Sequence, residues 1–403
     1  MKLVEKHIIK KGHKYFEEID KLSFASKNLY NLANYHIRQE FFKTGKILSY
    51  PKLDKLLQST DAYKALPAKV SQQVLMILAR NWKAFMEAEI AYTKNPEKFN
   101  SKPKIPKYKH KQTGRNILIY TIQALKKPEL RNGIVAPSKN QIKVFTRQNE
   151  IHQIRIVPRP EHYVIEIVYE HEDVSMLLDN GNVAGVDIGL NNLAAVTSNK
   201  AGFEPFLVNG RPIKSINAYY NKKKAKLQSS LPKDQKSSRR IKKLTNKRNR
   251  QIDNYLHNAS KYLIQRLSSE GVTTIIIGKN ERWKQNINIG KTNNQNFVFI
   301  PHARFVSQLQ YKAQLAGIQV IITEESYTSK CSFLDNEPIC KHESYLGKRI
   351  HRGLFRSAQG IFINADINGS ANIVRKVFPN VHSDGIQGIV VYPVRIAPYK
   401  LAK

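Results

Sequence analysis

The run Val183-Ala-Gly-Val-Asp-Ile-Gly189 does most to restrict what this chain can become. It has the composition of a strand buried on both faces, yet Asp187 stands where a core side chain would otherwise sit. A buried charge is tolerated only with partners or a cation, so a carboxylate ending such a strand points to a site. Gly185 and Gly189 allow another backbone to come close. Further strands are expected at Leu193–Thr197 and Phe206–Val208, and helices and strands then alternate to about residue 376. That alternation predicts an α/β domain built around the sheet that holds Asp187.

Upstream the pattern differs. Residues 1–10 suit a short strand, and about 20 to 92 are helical, most clearly at Val74, Leu75, Leu78, Trp82, Phe85 and Met86. Lys102-Pro-Lys-Ile-Pro-Lys-Tyr-Lys109 cannot be helical and makes an extended connector, whose Lys104 and Lys107 can follow a phosphate backbone or simply face solvent. Short alternating segments at Asn116–Tyr120, Gly133–Ala136, Ile142–Phe145, His152–Val157 and Tyr163–Tyr169 predict a small antiparallel barrel. Turn chemistry at Leu178-Asp-Asn-Gly-Asn182 places the domain boundary near 175–182.

Lys and Arg number 67 against 31 acids, a formal charge of +36 over 403 residues. Such an excess calls for a polyanionic partner, nucleic acid before a membrane surface. No apolar run approaches the roughly 20 residues of a membrane span, and no signal-peptide core is expected at the N-terminus. Two cysteines, Cys331 and Cys340, exclude a disulfide framework and favour a reducing, cytoplasmic, nucleoid-associated setting. Fifteen of the basic residues fall between 211 and 250, with Asp234 the one acid among them. Leu231-Pro232 divides the run into a helical hairpin. Its second helix continues as an apolar stripe through Ile252, Tyr255, Leu256, Ala259, Tyr262, Leu263 and Leu267. One end therefore packs on a core while Lys222, Lys223, Lys224, Arg239, Arg240, Lys242, Lys243, Lys247 and Arg248 are expected to meet phosphates.

Hydrolysis of a phosphodiester by two divalent ions needs three or four carboxylates at one point, with the metals roughly 4 Å apart. Magnesium prefers oxygen ligands, so Asp and Glu serve better than His or Cys. Alone, Gly-Val-Asp-Ile-Gly also suits the phosphate loops of sugar kinases and actin-like ATPases. The second element is Asn364-Ala-Asp-Ile-Asn-Gly-Ser-Ala-Asn-Ile373, in which small residues let a helix lie close to a sheet with Asp366 near its start. Asp366 as a helix N-terminal charge is the structural alternative.

With Tyr327-Thr-Ser-Lys-Cys331, the basic hairpin and the Lys-Pro connector, these motifs make the chain resemble the TnpB (OrfB) proteins of insertion sequences, relatives of the type V CRISPR effectors. The resemblance covers nearly the whole chain. It implies an RNA-guided, Mg²⁺-dependent (or Mn²⁺-dependent) DNA endonuclease whose partners are a guide RNA from the element's end and a double-stranded DNA target. It implies a wedge-like β-barrel over 1–19 and 96–178 with a helical recognition insertion at 20–95. The RNase H-like (RuvC) α/β nuclease domain would occupy 179–326 and 363–403, including the hairpin at 211–267, with a target-nucleic-acid-binding loop at 327–362. Asp187 and Asp366 match the first and third catalytic acids.

Two departures stand out. The family's middle acid ends a strand of the type Ile-Ile-Ile-Glu, whereas here Thr274-Ile-Ile-Ile277 is followed by Gly278. The next strand, Gly317–Thr323, ends in Glu324-Glu325 and is expected as the parallel neighbour, about 4.8 Å away. A glutamate side chain spans that distance, so one of the two can reach over Gly278, and their alternation allows only one. Glu281, or an inactive site, is the alternative. The second departure is the zinc ribbon, usually two Cys-x-x-Cys pairs. Cys331 is present, but Leu334 stands at its partner position. Cys331, Cys340, His342 and His351 have no recognised zinc spacing, so a metal-free loop is preferred, with Lys284, Arg349 and Arg352 still expected on nucleic acid. The competing functions are a catalytically impaired RNA-guided DNA-binding protein and an accessory transposase protein.

Overall fold

Lys2–Lys10 form strand β1, whose side chains alternate between exposed and partly covered positions, the period of a strand with one face packed. The structure, a computed structural model, describes residues 1–280, 290, 299–380 and 391–398. It divides into two units, Met1–Glu172 and Asp173–Lys403. No helix among the described residues is long and apolar enough to cross a membrane.

In the first unit, helices α1 (Phe16–Thr44), α2 (Tyr50–Leu57), α3 (Asp61–Lys64) and α4 (Ala68–Lys94) follow β1. Strand β2 (Leu118–Thr121), the short helix α5 (Lys127–Arg131), and strands β3 (Ile134–Val135), β4 (Val144–Phe145), β5 (Ile151–Arg159) and β6 (His162–Glu170) complete it. One antiparallel sheet has the order β1-β6-β5-β2, and β3 and β4 form a separate ribbon. The α4 stripe read from the sequence is the packing face: Trp82 is fully buried, and its indole N–H donates to Asn34 Oδ1 on α1 at 2.9 Å. The connector is fastened to α1 through its own carbonyls. Lys27, Asn31 and Asn34 donate to the carbonyls of Lys111, Lys109 and Pro106 at 2.7, 2.9 and 3.0 Å. Proline-rich backbone cannot satisfy its carbonyls in a helix, and α1 satisfies them instead. Lys104 and Lys107 are left exposed.

In the second unit, β7 (Val183–Asp187), β8 (Asn192–Ser198) and β9 (Phe206–Asn209) form an antiparallel meander. The hairpin follows as α6 (Arg211–Ser229) and α7 (Arg239–Ser269), then β10 (Thr274–Gly278), α8 (His302–Leu315) and β11 (Gln319–Thr323). After the small antiparallel sheet β12 (Lys348–His351), β13 (Leu354–Arg356) and β14 (Phe362–Asn364) come α9 (Ala365–Val377) and β15 (Val394–Ile396). The main sheet has the order β11-β10-β7-β8-β9-β15, with β10 parallel to both β7 and β11. This is the RNase H-like α/β arrangement, in which three antiparallel strands continue into parallel ones. Period-two alternation gives the sheet two packed faces. Ala184, Val186, Val196, Ile275 and Ile277 meet the α7 and α8 side, whereas Val183, Ala195, Leu207 and Ile276 meet α9.

Candidate active site

Asp187 is the last residue of β7 and shares the face of Val183 and Gly185, which is the α9 face. Two contacts fix that face. Ser370 Oγ on α9 donates to the Gly185 carbonyl at 2.8 Å and lies 3.0 Å from Thr197 Oγ1 on β8. A Cβ on Gly185 would run into the Ser370 carbonyl oxygen, so glycine is required for helix and strand to lie this close. One residue earlier on α9, a Cβ on Gly369 would sit 2.8 Å from Asp187 Oδ2. The small residues at 369–371 therefore bring α9 down onto the aspartate.

Asp366 is the second residue of α9. Asn364 caps the helix, its Oδ1 accepting from the backbone N–H groups of Asp366 and Ile367 at 3.0 and 3.3 Å. The carboxylate of Asp366 is held from outside the helix: Asn192 Nδ2 donates to Oδ2 at 2.6 Å and Arg349 Nη2 to Oδ1 at 3.1 Å. These contacts come from β8 and β12, so Asp366 does more than cap its own helix.

The two glutamates part company. Gly278 on β10 lies opposite Thr323 on β11, and Ile321, Thr323 and Glu325 share the parity that faces α9. Glu325 turns inward. It exchanges two hydrogen bonds with Asn280, accepting at Oε1 from the side-chain amide at 3.2 Å and donating its backbone N–H to Asn280 Oδ1 at 3.0 Å. Its Oε2 is buried with no hydrogen-bond partner, 3.0 Å from where a Gly278 Cβ would stand. Ile373 Cδ1 of α9 is closer still, at 2.5 Å, so glycine at 278 leaves room both for α9 and for the Glu325 carboxylate. Glu324 was the other of the two candidates, only one of which was expected to point inward. It is exposed, pairs at 3.1 Å with Lys376 in the last turn of α9, and accepts from the Ser326 hydroxyl.

The electrostatics agree with the geometry. Burial, and then the charges of Glu325 and Asp366, push the Asp187 carboxyl well above the ordinary range, against the pull of Arg349. Glu325 is raised to about 7, chiefly by burial and then by Glu324. Two crowded carboxylates, one with an orphaned buried oxygen, favour a hard divalent cation, and an all-oxygen donor set suits magnesium or manganese. Among the described residues, however, no three His, Cys, Asp or Glu side chains converge as they stand on one ion.

The remaining expected residues are distributed as follows. Lys222, Lys223, Arg239, Arg240, Lys242, Lys243 and Lys247 are exposed along the hairpin, and Lys224 is partly covered. Arg248 departs from expectation. It is half-buried within the unit, its Nε donating to Asn217 Oδ1 at 2.8 Å and Nη2 to the Phe299 carbonyl at 2.9 Å, so it braces the hairpin. Arg349 is engaged by Asp366, and Arg352 lies in the turn between β12 and β13. Lys284 and Glu281 lie outside the described residues. In the loop after β11, Cys331 is buried and donates to the Cys340 carbonyl at 3.6 Å. Cys340 Sγ is 3.4 Å from His342 Nε2, while His351 bonds the Arg352 carbonyl. What pins this loop went unread in the sequence. Buried Glu337 accepts from the backbone N–H groups of Ser332 and Leu346 at 2.6 and 2.9 Å, and Asn368 and Asn372 of α9 both donate to the Cys331 carbonyl. Asn192 and Asn280 were likewise missed; a polar residue at the head of an otherwise apolar strand was the available signal for Asn192.

Two family models match this chain. One, described as "Probable transposase" and named for OrfB of IS605, matches residues 166–284. The other, the Cas12f1-like TNB domain, matches residues 302–373. Among curated proteins, TnpB-like protein ORF457 of Acidianus two-tailed virus is 23% identical over 424 aligned positions, covering 95% of this chain and 89% of that protein. Among solved structures, Cas12f1 in a complex with sgRNA and target DNA superposes with a TM-score of 0.56 at 14% identity, over 89% of this chain and 82% of that one. At that identity the superposition speaks for the fold.

Proposed function

We propose that this chain, a TnpB-type protein by its family matches, is an RNA-guided DNA endonuclease of a mobile element that cuts with Asp187, Glu325 and Asp366. The observation that carries the reading is the Glu325 carboxylate, brought from β11 into the space over Gly278 beside Asp187. A chain that had lost its middle acid and its activity together would have no reason to bury an unpartnered carboxylate oxygen there.

Magnesium or manganese ions held by Asp187, Glu325 and Asp366 would supply a water nucleophile at neutral pH and charge stabilisation at the leaving oxygen. The protein's own share is positional. Asn280 fixes the rotamer of Glu325 through its paired hydrogen bonds, and Asn192 fixes Asp366. The close seat of α9 on β7 sets the separation between Asp366 and Asp187. The exposed lysines and arginines of α6 and α7 hold phosphates and give affinity without sequence preference. Sequence is then read by the guide RNA through base pairing. The first unit, with its antiparallel sheet and inserted helices, serves as the wedge and recognition parts that hold that RNA.

The test is plasmid cleavage by the purified ribonucleoprotein with Mg²⁺. Wild type and Glu324→Ala should cut, whereas Asp187→Ala and Glu325→Gln should not. Target binding without any cleavage by wild type would replace this reading with a binding-only protein.

A further inference from the structure

Beside Asp366 the second unit has a hollow of about 290 Å³ with Arg211, Arg349, Arg352 and Arg395 in its wall and Asp366 as the acid among its lining residues. The four arginines come from the start of α6, from β12, from the turn after β12 and from β15. Of these, Arg349 pairs with Asp366 at 3.1 Å. Arg395 Nε donates to the neutral Asn192 Oδ1 at 3.2 Å. Among the described residues, Arg211, Arg352 and Arg395 form no ion pair. Like charges gathered in a concavity repel, and the neighbouring Lys214 amine shows it: burial, then Arg352 and Arg211, push it down. Guanidinium groups match phosphate oxygens in pairs, so several around one hollow make a phosphate receptor. The positive charge also continues from Arg211 and Lys214 to Lys222 on the same face of α6, a track of about 17 Å at helical rise. Such a track suits a chain of phosphates better than a single anion.

We propose that this hollow binds a backbone phosphate of the strand being cut, next to the carboxylates, and that the entering phosphate draws Arg349 off Asp366. The identity of the strand rests on the nuclease reading; the binding itself does not. Arg349 then has two stations. Without nucleic acid it neutralises Asp366 and keeps the third carboxylate from a cation. With a phosphate in the hollow it turns to that anion and frees Asp366, so strand entry and metal binding support one another.

Two measurements on the full-length protein test this. The first is phenylglyoxal modification read by mass spectrometry without divalent metal, in the presence of a short oligothymidylate. Arg211, Arg352 and Arg395 should be protected several-fold. Unchanged reactivity would overturn the proposal. Equal protection by inorganic phosphate at the same phosphate concentration would reduce the hollow to a simple anion site and overturn the strand assignment. The second is Mn²⁺ titration by calorimetry. Oligothymidylate should tighten Mn²⁺ binding by wild type, and Arg349→Ala should bind Mn²⁺ about tenfold tighter without nucleic acid and gain nothing from it. Wild-type Mn²⁺ affinity in Arg349→Ala would sink the exchange. A protein that cuts DNA but shows no protection refutes this inference alone. Protection without cleavage supports the hollow and refutes the nuclease reading.

Discussion

Gly369→Ala separates the stability of this protein from its chemistry. Gly369 is inside α9 and does not have a positive φ, so alanine suits its backbone. An alanine there should favour the helix by about 0.8–1 kcal/mol. Beyond its own helix, the heavy atoms within 4 Å of the new methyl are Asp187 Oδ2 at 2.8 Å and Asp187 Cγ at 3.6 Å. Ordinary contact begins at 3.4 Å, so the carboxylate must retreat by about 0.6 Å or turn about χ1. Catalytic geometry tolerates little of this; a misplacement near 1 Å costs on the order of 100-fold. The expected result is a thermal midpoint equal to or above wild type with cleavage slowed about 10- to 100-fold. Single-turnover plasmid cleavage by the ribonucleoprotein, beside a melting curve of the same preparation, measures both. Cleavage at the wild-type rate would show that the position of Asp187 against α9 does not set the chemistry. A large drop in the midpoint would show that the methyl meets more than the carboxylate.

Gly185→Ala should behave in the opposite way, because its Cβ collides with the Ser370 carbonyl oxygen and lies 2.6 Å from Val374 Cγ2. Lifting α9 off the sheet should cost about 1–3 kcal/mol, seen as a lower midpoint in denaturant. The raised Glu325 pKa has a definite sign. A carboxyl at about 7 when folded, against 4.5 for the free group, binds more protons folded than unfolded across that window. Its contribution in metal-free protein therefore falls as pH rises from about 4.5 to 7, by about 3 kcal/mol at most, and Glu325→Gln should flatten the slope seen by denaturation in chelator. Equal slopes for mutant and wild type would mean that Glu325 is not buried as described. Arg248→Ala should loosen the hairpin before it weakens nucleic-acid binding, because the guanidinium is spent on Asn217 and the Phe299 carbonyl. A mutant that binds more weakly at an unchanged melting midpoint would contradict that role.

The sequence alone determined the α/β class of the second half, Asp187 at a strand end, Asp366 at a helix start and the paired basic helices. These depend on local pattern: apolar runs, period two, period 3.6 and the break at Leu231-Pro232. Against the family pattern it left no carboxylate after Ile277 and offered Glu324 and Glu325 at the end of the following strand, with Glu281 or an inactive site as the alternative. Which of the two glutamates turns inward was decided by register. Pairing Gly278 with Thr323 puts Glu325, not Glu324, on the face of Asp187, and no local pattern in either strand encodes that pairing. The same holds for Arg248 and Arg349, alike in sequence to their charged neighbours. One is claimed by a carbonyl 51 residues away and the other by a carboxylate 17 residues away. Local chemistry is written in consecutive residues, whereas the partner that satisfies a buried charge arrives from a distant segment, and only the folded chain brings the two together.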